Sequence, residues 1–202
     1  MSFLSKLKGE NSPIKSVLTS ARPTSIVATA VFVILIGWFT YAQVSSSPNK
    51  SSSTIVELKE VAPTGPKIVS AAAIREAVNT VGHAIYWAGE KPGQQLELTI
   101  TKDSSVYIRY LPAGAKAGSK TSSLSVFTYA DKLGFEKLQA VSKKPGVISV
   151  QDSGGAFVVK STQKSLNAYF AYNGYPIQIE VITSTPGKAW DLIQSAQISL
   201  VN

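Results

Sequence analysis

The chain contains no cysteine and only one histidine, His83, among its 202 residues. The absence of cysteine excludes a disulfide framework and any thiolate chemistry. A lone histidine excludes a metal site built from several histidines, and we expect neither a metal nor a cofactor. A Ser-His-Asp triad would have to use His83, but no Gly-x-Ser-x-Gly elbow accompanies it. The sequence therefore predicts no catalytic residue.

No phosphate-binding loop or paired-carboxylate site can be identified either. The segment 114–121 (GAKAGSKT) resembles a phosphate-binding loop, but it has three residues between its glycines where that motif needs four. Asp131, Glu136 and Asp152 precede or begin predicted helices and turns, where capping and turn chemistry explain acidic side chains. An envelope hydrolase or transferase that uses carboxylates remains an alternative, although nothing selects a pair.

Charged residues are missing from the long stretch between Arg22 and Lys50. Within it, residues 26–42 read IVATAVFVILIGWFTYA, and about 20 apolar residues suffice for a helix to cross a bilayer. We predict a transmembrane helix at residues 25–44, in contact with the lipid bilayer. Basic residues predominate before this span, so the N-terminus is predicted to be cytoplasmic and the C-terminal domain extracytoplasmic.

Two alternatives to a permanent signal anchor remain open. The segment Thr40-Tyr41-Ala42 loosely resembles a signal-peptide cleavage site, and cleavage would make the protein a secreted factor. The long stretch before the apolar run and the bulky Trp38 and Phe39 favour retention of the anchor. The other alternative is a buried soluble helix, which would have to be apolar on every side over its whole length, and the rest of the chain offers little core to cover it.

A regulatory membrane protein that signals inward is a further function class, but residues 1–24 are too few for a folded effector.

The formal net charge of +8 suggests nucleic-acid binding at first sight. Residues 70–202 contain 13 Lys and Arg against 9 Asp and Glu, so much of the excess lies elsewhere. The basic residues of this region do not form a stripe interleaved with aromatic residues, which a nucleic-acid interface usually has. We predict no nucleic-acid partner.

Composition divides the chain into four regions. Residues 1–24 form a cytoplasmic tail and residues 25–44 the transmembrane helix. Residues 45–69 are rich in Ser and Pro and cannot bury enough apolar surface to fold, so they predict a flexible linker. Residues 70–202 have a common domain size and predict one extracytoplasmic domain.

Hydrophobic periodicity predicts an α+β fold for that domain. Apolar residues at helical spacing predict three helices, the first capped by Ser70 and ended by Gly82, the second capped by Asp131 and the third capped by Thr185. Alternating apolar residues predict strands at 84–87, 96–100, 106–110, 124–129, 147–151, 156–160, 166–172 and 175–182. Six of these strands form three hairpins, so we expect an antiparallel sheet of hairpins faced by about three helices.

Aromatic residues are concentrated on the predicted strands, where packing on a pleated surface explains most of them. Those on an uncovered face of the sheet, such as Tyr107, Tyr129 and Tyr169, are a second possibility. They could line a groove for a sugar, a lipid or a peptide.

A ligand site formed by His83, Tyr86, Trp87 and Arg109 is a further hypothesis. Arg109 would meet an anionic group and the rings would supply contact area. The alternative is structural: His83 makes a hydrogen bond, Trp87 anchors the core, and Arg109 stacks on rings or pairs with Glu97 across the hairpin.

The same region carries a resemblance. The run 81–89 (VGHAIYWAG), the segment 97–99 (ELT), the run 106–112 (VYIRYLP) and the later segment 174–181 (GYPIQIEV) resemble a group of uncharacterised actinobacterial proteins. These proteins have an N-terminal membrane segment and a small extracytoplasmic domain. The resemblance implies location and architecture, and it carries over no activity and no catalytic residue.

The sequence thus predicts a single-pass membrane protein whose extracytoplasmic domain is a binding or interaction module of the cell envelope. Lack of any catalytic constellation makes an enzyme the less favoured class.

Overall fold

A computed structural model describes residues 60–163 and 165–202 of the chain. Along this part of the chain lie β1 (Thr64–Val69), α1 (Ala71–Val81), β2 (Tyr86–Trp87), β3 (Gln94–Ile100), β4 (Val106–Pro112), β5 (Leu124–Ala130), α2 (Gly134–Ser142), β6 (Val147–Gln151), β7 (Ala156–Ser161), β8 (Asn167–Tyr172), β9 (Ile177–Thr183), α3 (Lys188–Gln194) and β10 (Ser199–Leu200).

Eight of the strands form one antiparallel sheet in the order β1-β3-β4-β5-β9-β8-β7-β6. Two meanders, β3-β4-β5 and β6-β7-β8-β9, meet where β5 pairs with β9. The short strands β2 and β10 pair with each other in a second sheet. Together with the three helices, this arrangement confirms the α+β class and the three predicted hairpins.

The two faces of the eight-stranded sheet differ in what covers them. The core face packs against α1, α3 and the β2–β10 pair, and one row of its buried side chains runs Leu98, Ile108, Val126, Val181 and Ala168. The outer face carries the alternate side chains, such as Arg109, Phe127 and Glu180. Helix α2 covers the outer face over β7 and β8, where Leu138 packs on Val159 and Ala171.

The first helix begins and ends where the sequence predicts. The Ser70 hydroxyl accepts a hydrogen bond from the Ala73 N–H at 3.3 Å, which satisfies one of the free donors at the helix start. Gly82 follows the helix with φ of 74°, a left-handed conformation that costs glycine little.

The starts predicted for the other two helices are corrected. Asp131 is not the N-cap of α2, because its carboxylate accepts from the Leu133 N–H in a turn and the helix starts at Gly134. A Cβ on Gly134 would lie 2.8 Å from the Gln178 Cβ, so the close approach of α2 to β9 requires glycine here. Thr185 does not cap α3, which starts after Gly187 in a left-handed turn.

The boundary of the predicted linker is also corrected. Thr64–Val69 was predicted as the end of a flexible segment, but it pairs with β3 as an edge strand. The register shifts between Thr64 and Lys67, around Pro66, and edge strands with bulges are where proline is tolerated in a sheet. The Pro- and Gly-rich composition therefore marks an irregular edge at this position.

No helix of the described part is long and apolar enough to cross a membrane. The predicted transmembrane helix at 25–44, the tail 1–24 and the linker up to residue 59 all lie outside the described residues. They stay predictions.

Candidate ligand-binding face

His83 lies in the turn between α1 and β2. Its Nδ1 is 2.8 Å from the Ala84 carbonyl oxygen and its Nε2 is 2.8 Å from the Ser104 carbonyl oxygen. The imidazole therefore ties the end of α1 to the turn between β3 and β4. This contact matches the structural interpretation of the residue.

Tyr86 and Trp87 are buried in the core-face cluster. The Tyr86 ring meets Phe170 edge to face at 5.2 Å between centroids, and burial followed by the nearby Tyr172 raises its pKa above the ordinary value of 10. The guanidinium carbon of Arg75 lies 5.5 Å from the centre of the Trp87 ring. Both rings are thus packed against other parts of the domain.

Arg109 is on the outer face, across the sheet from Trp87. Its Nη1 donates to Glu97 Oε1 at 2.6 Å and its Nη2 donates to the Ser119 carbonyl at 2.5 Å. The other carboxylate oxygen of Glu97 accepts from the Gly118 N–H. The pair therefore holds the loop between β4 and β5 against the sheet, and the structure does not bring Arg109 together with His83, Tyr86 and Trp87.

The three tyrosines predicted on an uncovered face share the outer face, but Tyr169 packs against the Leu138 cluster beneath α2 and is not uncovered. Across β4, β5, β9 and β8, the aligned residues are Tyr107, Phe127, Glu180 and Tyr169, and Tyr129 lies two residues from Phe127 on the same strand. We call the rings of Tyr107, Phe127 and Tyr129 the aromatic patch. Their centroids lie 4.6 Å (Tyr107–Phe127), 5.8 Å (Tyr107–Tyr129) and 6.4 Å (Phe127–Tyr129) apart.

A buried carboxylate lies beside this patch. Glu180 is only 5% exposed and accepts from the Tyr129 hydroxyl at 2.5 Å, the Tyr169 hydroxyl at 2.6 Å and the Asn167 side-chain amide at 2.6 Å. We call these four residues the Glu180 site. A carboxylate accepts at about four positions, so three donors leave room for one more.

Burial and the negative charge of Glu180 keep the tyrosine hydroxyls of the site protonated. Burial first, and then Glu180, raises the pKa of Tyr129 and of Tyr169 above the ordinary value of 10. Burial, followed by Asp103 and Glu180, also raises the pKa of Tyr107. Both hydroxyls that face Glu180 are therefore protonated at neutral pH and act as donors to it.

Glu180 has no cationic partner in the part of the chain that the structure describes. Ion pairs there join Arg109 with Glu97, Lys137 with Asp131 and Lys102 with Glu60. Because the Tyr129 hydroxyl directs its single proton at Glu180, its oxygen offers lone pairs to a further group. The faces of the aromatic patch are negative as well, so the site as a whole favours a ligand that is cationic and donates hydrogen bonds.

The two buried carboxylates of the outer face are too far apart to act as an acid–base pair. Glu97 is on β3 and Glu180 is on β9, three strands away, which corresponds to about 14 Å. Paired carboxylates in glycosidases lie roughly 5–9.5 Å apart. Between residues 60 and 202, leaving aside 164, no group of three or more His, Cys, Asp or Glu side chains could hold a metal ion.

Sequence reasoning missed Glu180, Asn167 and Phe127 as members of one site. The alternation in β9 does place Glu180 on the face opposite the buried Ile179 and Val181. Recognition of the site also requires that β9 lie between β5 and β8, and no local pattern encodes the long-range pairing of β5 with β9.

No protein-family model, curated protein or solved structure matches the chain. Any assignment of a ligand therefore has to come from the geometry of the outer face itself.

Proposed function

We propose that this protein is a membrane-anchored, extracytoplasmic binding module of the cell envelope, and that its outer face binds a ligand carrying an ammonium group. The observation that carries the ligand class is the buried carboxylate of Glu180, which lies beside three aromatic rings and forms no ion pair among the described residues. A buried charge is ordinarily paired, and a cationic ligand would supply the missing partner.

Hydrogen bonding supports the same class of ligand. Three donors hold the Glu180 carboxylate in place before a ligand arrives, so its position is preorganised. An ammonium group can donate to the remaining position on the carboxylate and contact the Tyr129 hydroxyl oxygen. A phosphate or carboxylate ligand would meet only like charge and acceptors at this point.

The aromatic patch supplies the second contribution. A cation over the face of an aromatic ring gains about 2 kcal/mol when it is desolvated. Since 1.4 kcal/mol is a factor of ten, this corresponds to roughly a 30-fold gain in affinity. Half-burial of Tyr107, Phe127 and Tyr129 leaves part of these rings accessible.

Location enters the proposal through the sequence. The charge-free apolar stretch at 25–44 would anchor the chain in the membrane with its N-terminus in the cytoplasm. The segment between the anchor and β1 would then tether the domain within about 25 Å of the bilayer, from 5–6 Å times the square root of its length. The resemblance to anchored actinobacterial envelope proteins agrees with this placement.

The test is a binding titration with the full-length chain, in detergent if it fractionates with membranes. The probes are three peptides that differ at one position, which carries lysine, trimethyllysine or the neutral norleucine. We expect both cationic peptides to bind and the norleucine peptide to bind at least tenfold more weakly. Equal binding of the three peptides, or no binding of any, would overturn the proposed ligand class.

Two variants with the same charge change sharpen the test. Glu180→Gln removes the charge beside the aromatic patch, whereas Glu136→Gln removes a charge from an exposed position on α2. We expect only Glu180→Gln to weaken binding of the cationic peptides, by at least tenfold. An equal loss in both variants would show that the peptides respond to net charge alone.

A further inference from the structure

Among the residues that the structure describes, no strand pairs with the second edge of β6. The Thr162 N–H donates to the Gly146 carbonyl and the Asp152 N–H donates to the Ala156 carbonyl. The backbone N–H and C=O groups of the even-numbered residues of this strand therefore point towards β7. Hydrogen-bonding direction alternates along an antiparallel strand. The N–H and C=O groups of Val147, Ser149 and Gln151 therefore point away from the sheet.

The opposite edge of the sheet is blunted, and β6 is not. Strand β1 contains Pro66 and Lys67 and shifts register around them, and such features block edge-to-edge pairing. Strand β6 reads VISVQ, with no proline, no charge and an unbroken register to β7. Within the described chain, β6 is thus the edge suited to accept a partner strand.

Two exposed apolar side chains accompany this edge. Ile148 is 42% exposed and Val150 is 36% exposed, and both lie on the core face, since Val150 is aligned with the buried Val158. They are symmetrically placed on either side of Ser149. An antiparallel strand of the same sequence would therefore set Ile148 against Val150 and Val150 against Ile148.

We infer that two copies of the chain pair through their β6 strands, antiparallel, with a twofold axis at Ser149. In this register Ser149 meets Ser149 and Val147 meets Gln151, so every outward N–H and C=O of the strand gains a partner. The sheets of the two copies become continuous, and the four exposed apolar side chains cover one another. Such self-complementarity is the requirement of a twofold interface.

Charge at the two ends of the strand favours the same partner. Lys143 and Lys144 precede β6 and Asp152 follows it. Antiparallel pairing brings the basic end of one copy beside the acidic end of the other, at both ends of the interface. A parallel arrangement would place like charges together.

Disulfide trapping tests the register, because the chain contains no native cysteine. Directly opposed, hydrogen-bonded residues have Cα atoms about 5.5 Å apart, a separation that a disulfide can bridge. We expect Ser149→Cys to give a disulfide-linked dimer of the full-length chain under mild oxidation. An exposed cysteine away from the edge, Ser184→Cys, should link far less and measures random collision.

A mixing experiment makes the test specific to the proposed register. Val147→Cys and Gln151→Cys should each give little dimer alone, and a mixture of the two variants should give the mixed dimer. If Ser149→Cys links no more than Ser184→Cys, or if Val147→Cys links with itself as well as with Gln151→Cys, the inferred pairing is wrong.

Sedimentation of the full-length chain provides a measurement without cross-linking. Ser149→Pro removes an N–H that faces away from β7, so the fold tolerates the change while the interface loses its central hydrogen bonds. We expect the unmodified chain and Ser149→Ala to sediment as dimers and Ser149→Pro as a monomer. A monomeric unmodified chain at all accessible concentrations, or a dimeric Ser149→Pro variant that remains folded, would overturn the inference.

Discussion

Two carboxylates are buried on the same face of one sheet, and they are held in different ways. Glu97 is 1% exposed and pairs with the Arg109 guanidinium, whereas Glu180 is 5% exposed and accepts from two tyrosines and an asparagine. The Arg109 guanidinium neutralises the Glu97 carboxylate within the fold, so Glu97 needs no further cationic partner. Three neutral donors stabilise the position of Glu180, and none of the described residues forms an ion pair with it. Burial of a carboxylate alone therefore does not identify a binding site.

Removal of the Arg109 guanidinium should have the largest effect on the stability of the domain. Arg109→Leu leaves the Glu97 carboxylate buried without its counter-charge, and loss of one partner of a buried ion pair costs about 3–5 kcal/mol. Arg109 is partly exposed, so we expect a value near 3 kcal/mol from urea denaturation. The loop between β4 and β5 should also become more susceptible to proteases.

Two further variants control this measurement. Glu97→Gln combined with Arg109→Leu removes the charge together with its partner, and the double variant should be more stable than Arg109→Leu alone. Lys102→Ala breaks a pair with Glu60 in which both side chains are largely exposed, and it should cost less than 1 kcal/mol. If Arg109→Leu costs as little as Lys102→Ala, the contrast between the two carboxylates fails.

Removal of one hydroxyl from the Glu180 site should have a smaller effect. Tyr129→Phe deletes one of three donors to a buried carboxylate, and such a loss costs about 2 kcal/mol, since hydrogen bonds to charged groups contribute 1.5–3 kcal/mol. Tyr107→Phe is the matched control, because it removes a hydroxyl from the same patch but none of the three donors to Glu180. An effect of Tyr129→Phe below that of the control would show that the tyrosine contributes only its ring.

The sequence predicts the local elements of this domain better than its site. Local patterns define α1 and the three hairpins, because caps, alternation and turn residues act within a few positions. The predicted start of α2 was wrong: the helix begins at Gly134, which lies against Gln178, a residue remote in the chain that no local pattern points to. Glu180 was missed for the same reason, since its donors come from two other strands.

Arg109 shows the opposite case. Its pairing with Glu97 across the hairpin was one of the two interpretations, and the register of β3 and β4 confirms it. The ligand site with His83, Tyr86 and Trp87 required contacts across the sheet. Alternation along β4 directs Arg109 and Tyr110 to opposite faces, and Tyr110 is the residue whose hydroxyl accepts from the Ala88 N–H beside Trp87.

The smallest expected difference between the two carboxylate sites is in the loss of folding stability at alkaline pH. Because the pKa of Tyr129 in the folded state lies above its unfolded value of about 10, its contribution to stability is fully present below pH 10. Above pH 10 the unfolded chain releases the phenol proton while the folded chain keeps it, so stability falls as the pH rises. One proton corresponds to about 1.4 kcal/mol per pH unit, and Tyr129→Phe should remove at most this much of the loss between pH 10 and 11. Glu97→Gln leaves the tyrosines unchanged and should show the same loss of stability at alkaline pH as the unmodified chain. If Tyr129→Phe also shows that same loss, the Tyr129 proton is not held by the Glu180 site.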